Sequence, residues 1–245
     1  MNYERILNNL EDLEEAKRLL QPDESDLMLD LACGIGETTV FFAPHVKSVI
    51  AADMSMETLK KAQAVISEQK ELANVAYREA DVEDLPFPAG AFSLLCRRGD
   101  FHHFTDLSRA FEEFFRVLRW QGRLCVIDSL MPEDPEAAAF AEHLHQLRDP
   151  AHTRAYSREE WLAAAAETDF IVNSVQIFGK QRDFKKWCRA ADLSPAICRK
   201  IEKVFLDADT RIKDFFQVEV FAGEVEGFVE PAILIFATHP AKPVR

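Results

Sequence analysis

Three kinds of residue in this chain could do chemistry, and their spacing suggests what they would do. The first is an acid–glycine turn, Asp30 followed by Ala32, Gly34 and Gly36. Glycine allows a tight turn and a close approach by a ligand, and the free N–H groups of a following helix face that ligand. The second is a pair of acids, Asp53 and Asp81, each closing an apolar run. Asp53 stands about 20 residues past the first glycine, the distance at which a carboxylate accepts hydrogen bonds from a ribose diol. The third is a segment with Arg98, Asp100, His102 and His103. Asp100 and the histidines could take a proton from a nucleophile. They could also be structural, Asp100 as the cap of a helix starting near Thr105 and His103 as a packed side chain.

The elements that must carry these residues are readable from apolar runs and breakers. Strands are expected at Leu27–Leu31, Val46–Ala52, Asn74–Ala80, Phe92–Cys96 and Arg123–Asp128. Helices are expected between them, near Glu37–Phe41, Met56–Lys70 and Thr105–Leu118. The strands do not alternate strongly, which suits a parallel sheet covered on both faces. In such a sheet ligands bind beyond the carboxyl ends of the strands, and all the polar punctuation falls there. An amphipathic helix is expected over residues 1–21, ended by Gln21-Pro22. Later come a helix at Glu136–Leu147, a capping box at Ser157–Glu160, and strands at Phe170–Phe178 and Glu230–Thr238. A helical insertion at 181–216 precedes the last strand. The whole reads as a single domain, 1–245, without internal repeats.

Composition narrows the function. The net charge of -13 argues against nucleic acid and against an anionic membrane surface. No apolar run is long enough to span a membrane, and the first residues do not form a secretory signal, so a cytoplasmic protein is expected. The five cysteines are scattered without a CxxC pair, so neither a metal site nor a disulfide framework is expected. The polar stretch Arg148–Tyr156 reads either as a lining of the acceptor site or as a solvated loop. The aromatics Phe184, Trp187, Phe205, Phe215 and Phe216 read as core or as the roof of a pocket for a flat acceptor.

Leu29–Gly36, Ala80–Phe87, Arg98 with His102–Phe104, and Arg116–Leu124 together resemble class I S-adenosylmethionine-dependent methyltransferases. The likeness is to the branch that includes the ubiquinone and menaquinone biosynthesis enzymes. It implies a Rossmann-like α/β fold, a seven-stranded mostly parallel sheet of order 3-2-1-4-5-7-6 with the last strand antiparallel. It also implies S-adenosylmethionine as cofactor and a small-molecule acceptor. By the same resemblance Gly34 and Gly36 let the backbone approach the methionine portion, and Asp30 fixes the loop and the amino group. Asp53 then holds the ribose, Met54 covers the adenine, Asp81 and the Val82 backbone read the adenine edge, and Arg98 follows the cofactor. Ala32 stands where the family has its first glycine. Asp100 falls near the expected methyl-transfer site, so Asp100, His102 and His103 are the candidate catalytic residues. The N-terminal helix is expected to close over the cofactor and to move when the site is empty. Two other readings stay open: a non-catalytic binding or scaffold protein, and an NAD-dependent oxidoreductase, which Thr39 disfavours by replacing the third glycine of a dinucleotide fingerprint. The acceptor, the atom methylated and the oligomeric state, a homodimer included, are not readable.

Overall fold

A computed structural model describes residues 6–7, 10–69, 72–99, 106–150 and 152–242. Its strands are β1 (Ile6–Leu7), β2 (Leu27–Leu31), β3 (Ser48–Asp53), β4 (Val75–Glu79), β5 (Phe92–Arg98), β6 (Leu118–Ser129), β7 (Ile171–Asp183), β8 (Glu219–Phe221) and β9 (Glu224–Thr238). They form one sheet of order β1-β7-β9-β6-β5-β2-β3-β4, with β8 paired to β9. Strands β2 to β6 run parallel, and β9 is antiparallel to both β6 and β7. Without the two short additions β1 and β8, the order is the expected 3-2-1-4-5-7-6.

Successive residues of the central strands enter two different cores. Leu29, Leu31, Leu124, Val126, Ile233 and Ile235 face one layer. Met28, Cys96, Cys125, Ile127 and Leu234 face the other. Both faces are buried, which is why the sequence does not alternate. The first layer is covered by α4 (Leu107–Val117) and α6 (Arg158–Ala166) through Phe111, Phe114 and Trp161. The second is covered by α1 (Glu11–Leu20) and α2 (Glu37–Phe42) through Leu13, Ala16, Leu20 and Phe42. Helix α3 (Met56–Ser67) starts on Ser55, whose hydroxyl accepts from Thr58 N, and packs through Leu59, Ala62 and Ile66. All five cysteines are free thiols.

Three expectations change. The N-terminal helix begins at Glu11 rather than near the terminus, and Ile6–Leu7 instead pairs in parallel with Gly179–Lys180. A short strand there covers the open edge of β7. Second, α1 is anchored on the sheet in this structure. Its apolar face is core, and Arg123 donates to the carbonyls of Leu20 and Gln21 at its end. Third, residues 181–183 belong to β7, because that strand continues along β9 as far as the Asp183–Gly227 pair. The polar Gln181-Arg182-Asp183 reads as non-strand because ladder hydrogen bonds, not apolar side chains, carry it. The inserted helices are therefore α7 (Phe184–Ala190), α8 (Pro195–Asp207) and α9 (Thr210–Phe215). Helices α7 and α8 pack around Phe184, Trp187, Ile201, Phe205 and Phe228, together with α5 (Pro135–Arg148) through Leu144, and α9 packs on α5 through Ile212. No described helix is long and apolar enough to cross a membrane.

Candidate active site

The turn between β2 and α2 is built from left-handed backbone. Ala32, Gly34 and Gly36 have φ of 52°, 55° and 90°. A Cβ on Gly34 would meet nothing within 4 Å, so the turn opens onto space there. Gly36 differs. A Cβ on it would stand 2.7 Å from Cδ1 of Ile66, and its φ of 90° is strained for any other residue, so glycine here suits both the turn and the packing of α2 against α3. Beneath the turn lies Asp30, fully buried, accepting a 2.5 Å hydrogen bond from the Thr39 hydroxyl. Burial pushes its carboxyl up to about 7, against the opposing pull of Thr39, Arg97 and Arg98.

Asp53 ends β3 beside this turn. One carboxylate oxygen accepts from Gly34 N at 3.2 Å and the other from Ser55 N at 2.9 Å. It thereby ties the glycine turn to the start of α3. Met54, next in the chain, is 68% exposed. Ala80 N donates to Asp53 O, which brings the end of β4 alongside. Asp81 is exposed and accepts from Glu83 N, while Val82 is buried in the core with Leu31 and Ala52. The loop that follows is clamped by α4. Glu113 accepts from Leu85 N at 2.7 Å, and Arg116 donates to the carbonyls of Leu85 and Phe87. Neither Glu113 nor Arg116 is evident from the motifs, though their i,i+3 spacing on an amphipathic helix was a usable signal.

Arg98 ends β5 and reaches the start of α2 just after the glycine turn. Its guanidinium donates to Asp12 of α1 at 3.1 Å and to Glu37 of α2 at 3.1 Å. Asp12, fully buried, also holds Lys180 at 2.7 Å. Arg98 and Glu37 thus stand at the border of a second space. This cavity of about 180 Å³ is lined by residues including Glu37, Arg98, Asp128, Arg148, Lys180 and Glu230. His145, Arg182 and Trp187 also line it. Burial, followed by the cations Arg182 and Arg98, pushes the Lys180 ammonium down to about 8 despite Asp12. Burial alone would raise Glu230, but Arg182 and His145, at 2.7 Å and 2.8 Å, hold its carboxyl well below the usual range.

The aromatic stripe is mostly core, with Phe184 and Phe205 in one cluster and Phe216 in another; Trp187 alone of the five lines this cavity. The cavity is consequently polar, and an apolar pocket for a flat acceptor does not form here. Among the described residues of the stretch after Arg148, Pro150, Thr153 and Arg154 are exposed while two side chains turn inward. His152 and Tyr156 are buried, and Met131 N donates to Tyr156 O. Asp100, His102 and His103 lie outside the described residues. Burial raises the thiol of Cys33 beside the turn, which keeps it protonated and unreactive. Among the described residues no group of three His, Cys, Asp or Glu side chains could hold a metal ion.

Residues 29–126 match the family described as Methyltransferase domain. The chain is 33% identical over 162 residues to the uncharacterized methyltransferase YcgJ of Bacillus subtilis, covering 66% of this chain and 64% of YcgJ. Over 109 residues it is 36% identical to the ubiquinone/menaquinone biosynthesis C-methyltransferase UbiE of a Marinomonas species, 43% of each protein. The chain thus spans less than two thirds of either relative. The crystal structure of Bacillus subtilis YcgJ superposes with a TM-score of 0.83 at 28% identity, over 94% of this chain and 98% of that one.

Proposed function

Since this chain carries a methyltransferase domain of the class I kind, related to the ubiquinone/menaquinone branch, we propose that it transfers a methyl group from S-adenosylmethionine to a small-molecule acceptor. The observation that carries this reading is one continuous edge. The open turn at Gly34, the carboxylate of Asp53 and the exposed Asp81 lie at neighbouring strand ends, and the polar cavity begins at Glu37 and Arg98 on the next. The residues fit the cofactor. Gly34 leaves room above the turn, Asp53 has the acceptor oxygens a ribose diol needs, and the exposed Met54 supplies an apolar face.

S-adenosylmethionine supplies a methyl group on a sulfonium, which leaves with its electron pair on sulfur. The chain's own residues then have to position the acceptor and exclude water. Arg98, held by Asp12 and Glu37, stands between cradle and cavity, and its proposed contact to the cofactor would be made from that position. Asp100, His102 and His103 remain the proposed contacts to the acceptor on sequence position. A proton released by the acceptor would go to one of them or to water.

The test is calorimetric titration with S-adenosylmethionine, S-adenosylhomocysteine and NAD. Either sulfur compound is expected to bind and raise the melting temperature. Asp53→Ala is expected to weaken that binding at least about ten-fold, roughly 1.4 kcal/mol. Binding of NAD and of neither sulfur compound would overturn the reading.

A further inference from the structure

We propose that the methyl acceptor carries an anionic group, a carboxylate or a phosphate ester, received in the polar cavity by Arg148 with Lys180 and Arg182 beside it. The inference rests on the reading of this cavity as the acceptor site. Four permanent or near-permanent cations line it, namely Arg98, Arg148, Lys180 and Arg182, in a chain whose net charge is -13. A cationic lining is therefore not the background of this molecule.

The carboxylates nearby are already shared. Asp12 serves both Arg98 and Lys180, Glu37 serves Arg98, Glu230 serves both Arg182 and His145, and Asp128, also in the lining, accepts from Ser129 N. Arg148 stands apart. Among the described residues it makes no ion pair, and its buried Nε has no hydrogen-bond acceptor. Its guanidinium lies over the Trp187 ring, 4.8 Å from the centroid. Stacking on an indole fixes the plane of a guanidinium while leaving its edge free. A planar, fixed fork with no carboxylate of its own matches a carboxylate or phosphate, which it can bind through two parallel hydrogen bonds. A cationic acceptor would meet four like charges, and the ionised carboxylates present are engaged. Burial is the main reason the Lys180 ammonium is shifted down, and the neighbouring Arg182 and Arg98 add to it.

The placement suits an acceptor rather than a cofactor phosphate. Glu37 opens the helix that follows the glycine turn and Arg98 ends the neighbouring strand β5, whereas Arg148, Trp187 and Ala190 come from α5 and α7. An anion at Arg148 would leave the other end of the molecule directed toward the strand ends.

The experiment is calorimetric titration of the full chain with phenyl phosphate, benzoate and neutral phenol, each with and without saturating S-adenosylhomocysteine. At least one anion is expected to bind about ten-fold or more tightly than phenol, and the pair of anions distinguishes phosphate from carboxylate. Arg148→Gln is expected to lose most of that preference, with Arg148→Lys intermediate, while S-adenosylhomocysteine still binds the variants and reports an intact fold. Anions binding no more tightly than phenol, or Arg148→Gln keeping the wild-type preference, would overturn the proposal. Anion preference without any binding of S-adenosylhomocysteine would keep the anion site and remove the methyltransferase reading.

Discussion

Asp30 is a carboxyl placed where water cannot reach it, under a turn whose residues are strained or glycine. Its folded pKa of about 7 lies above the ordinary 3.8. Between those values the folded protein keeps a proton that the unfolded chain has lost. Stability contributed by this group is present below the lower value and falls as pH rises toward the upper one, then levels off. Asp30→Asn removes the titration while keeping an acceptor for Thr39. The variant is expected to gain on the wild type from about pH 4 to about pH 7, by an amount on the order of 4 kcal/mol, in urea unfolding series. Ala32 offers a second test at the same scale. An alanine at φ 52° costs about 1–2 kcal/mol in the left-handed region, and glycine gives part of that back as unfolded-chain entropy. Ala32→Gly is thus expected to raise stability by about 0.5–1 kcal/mol in the same assay.

At the scale of elements, the site depends on how α2 meets α3. Gly36→Ala would place a methyl against Ile66 and force an alanine to φ 90°. A loss of about 1–3 kcal/mol is expected. Ile66→Val removes the colliding Cδ1, so the double variant should recover part of the loss in a mutant cycle, the backbone strain remaining. Much of this was open to sequence reasoning. The glycine turn, the Ser55 cap and the Ser157–Glu160 capping box are local, and the structure has all three. Residues 181–183 were misread because they extend a strand through pairing with Gly227–Val229, more than 40 positions away, and carry no apolar pattern of their own.

At the scale of the whole molecule, one buried carboxylate fastens three distant pieces of chain. Asp12 on α1 meets Arg98 at the end of β5 and Lys180 on β7. Removing its charge leaves two cations buried without their shared partner. Asp12→Asn is expected to cost about 3–5 kcal/mol, measured by denaturant unfolding. Glu57→Gln, which breaks an exposed i,i+4 pair with Lys61, is expected to leave the denaturant midpoint essentially unchanged. This lock ties the N-terminal helix to the frame formed by β5 and β7.

The sequence by itself determined the central strands, the position of the glycine turn, and Asp53 at the end of the next strand, while the order of the sheet was implied only by the family resemblance. The strands, the turn and Asp53 depend on short runs of apolar residues and on local turn chemistry, which neighbours in the chain dictate. Only the tertiary structure decided that Gly36 packs against Ile66, that Arg98 pairs with Asp12 and Glu37, and that Arg148 lies on Trp187 facing a cationic cavity. Each of these is a contact between segments far apart in the chain. Whether a charge is paired or left to receive a ligand depends on which distant carboxylates reach it, and that is set by packing.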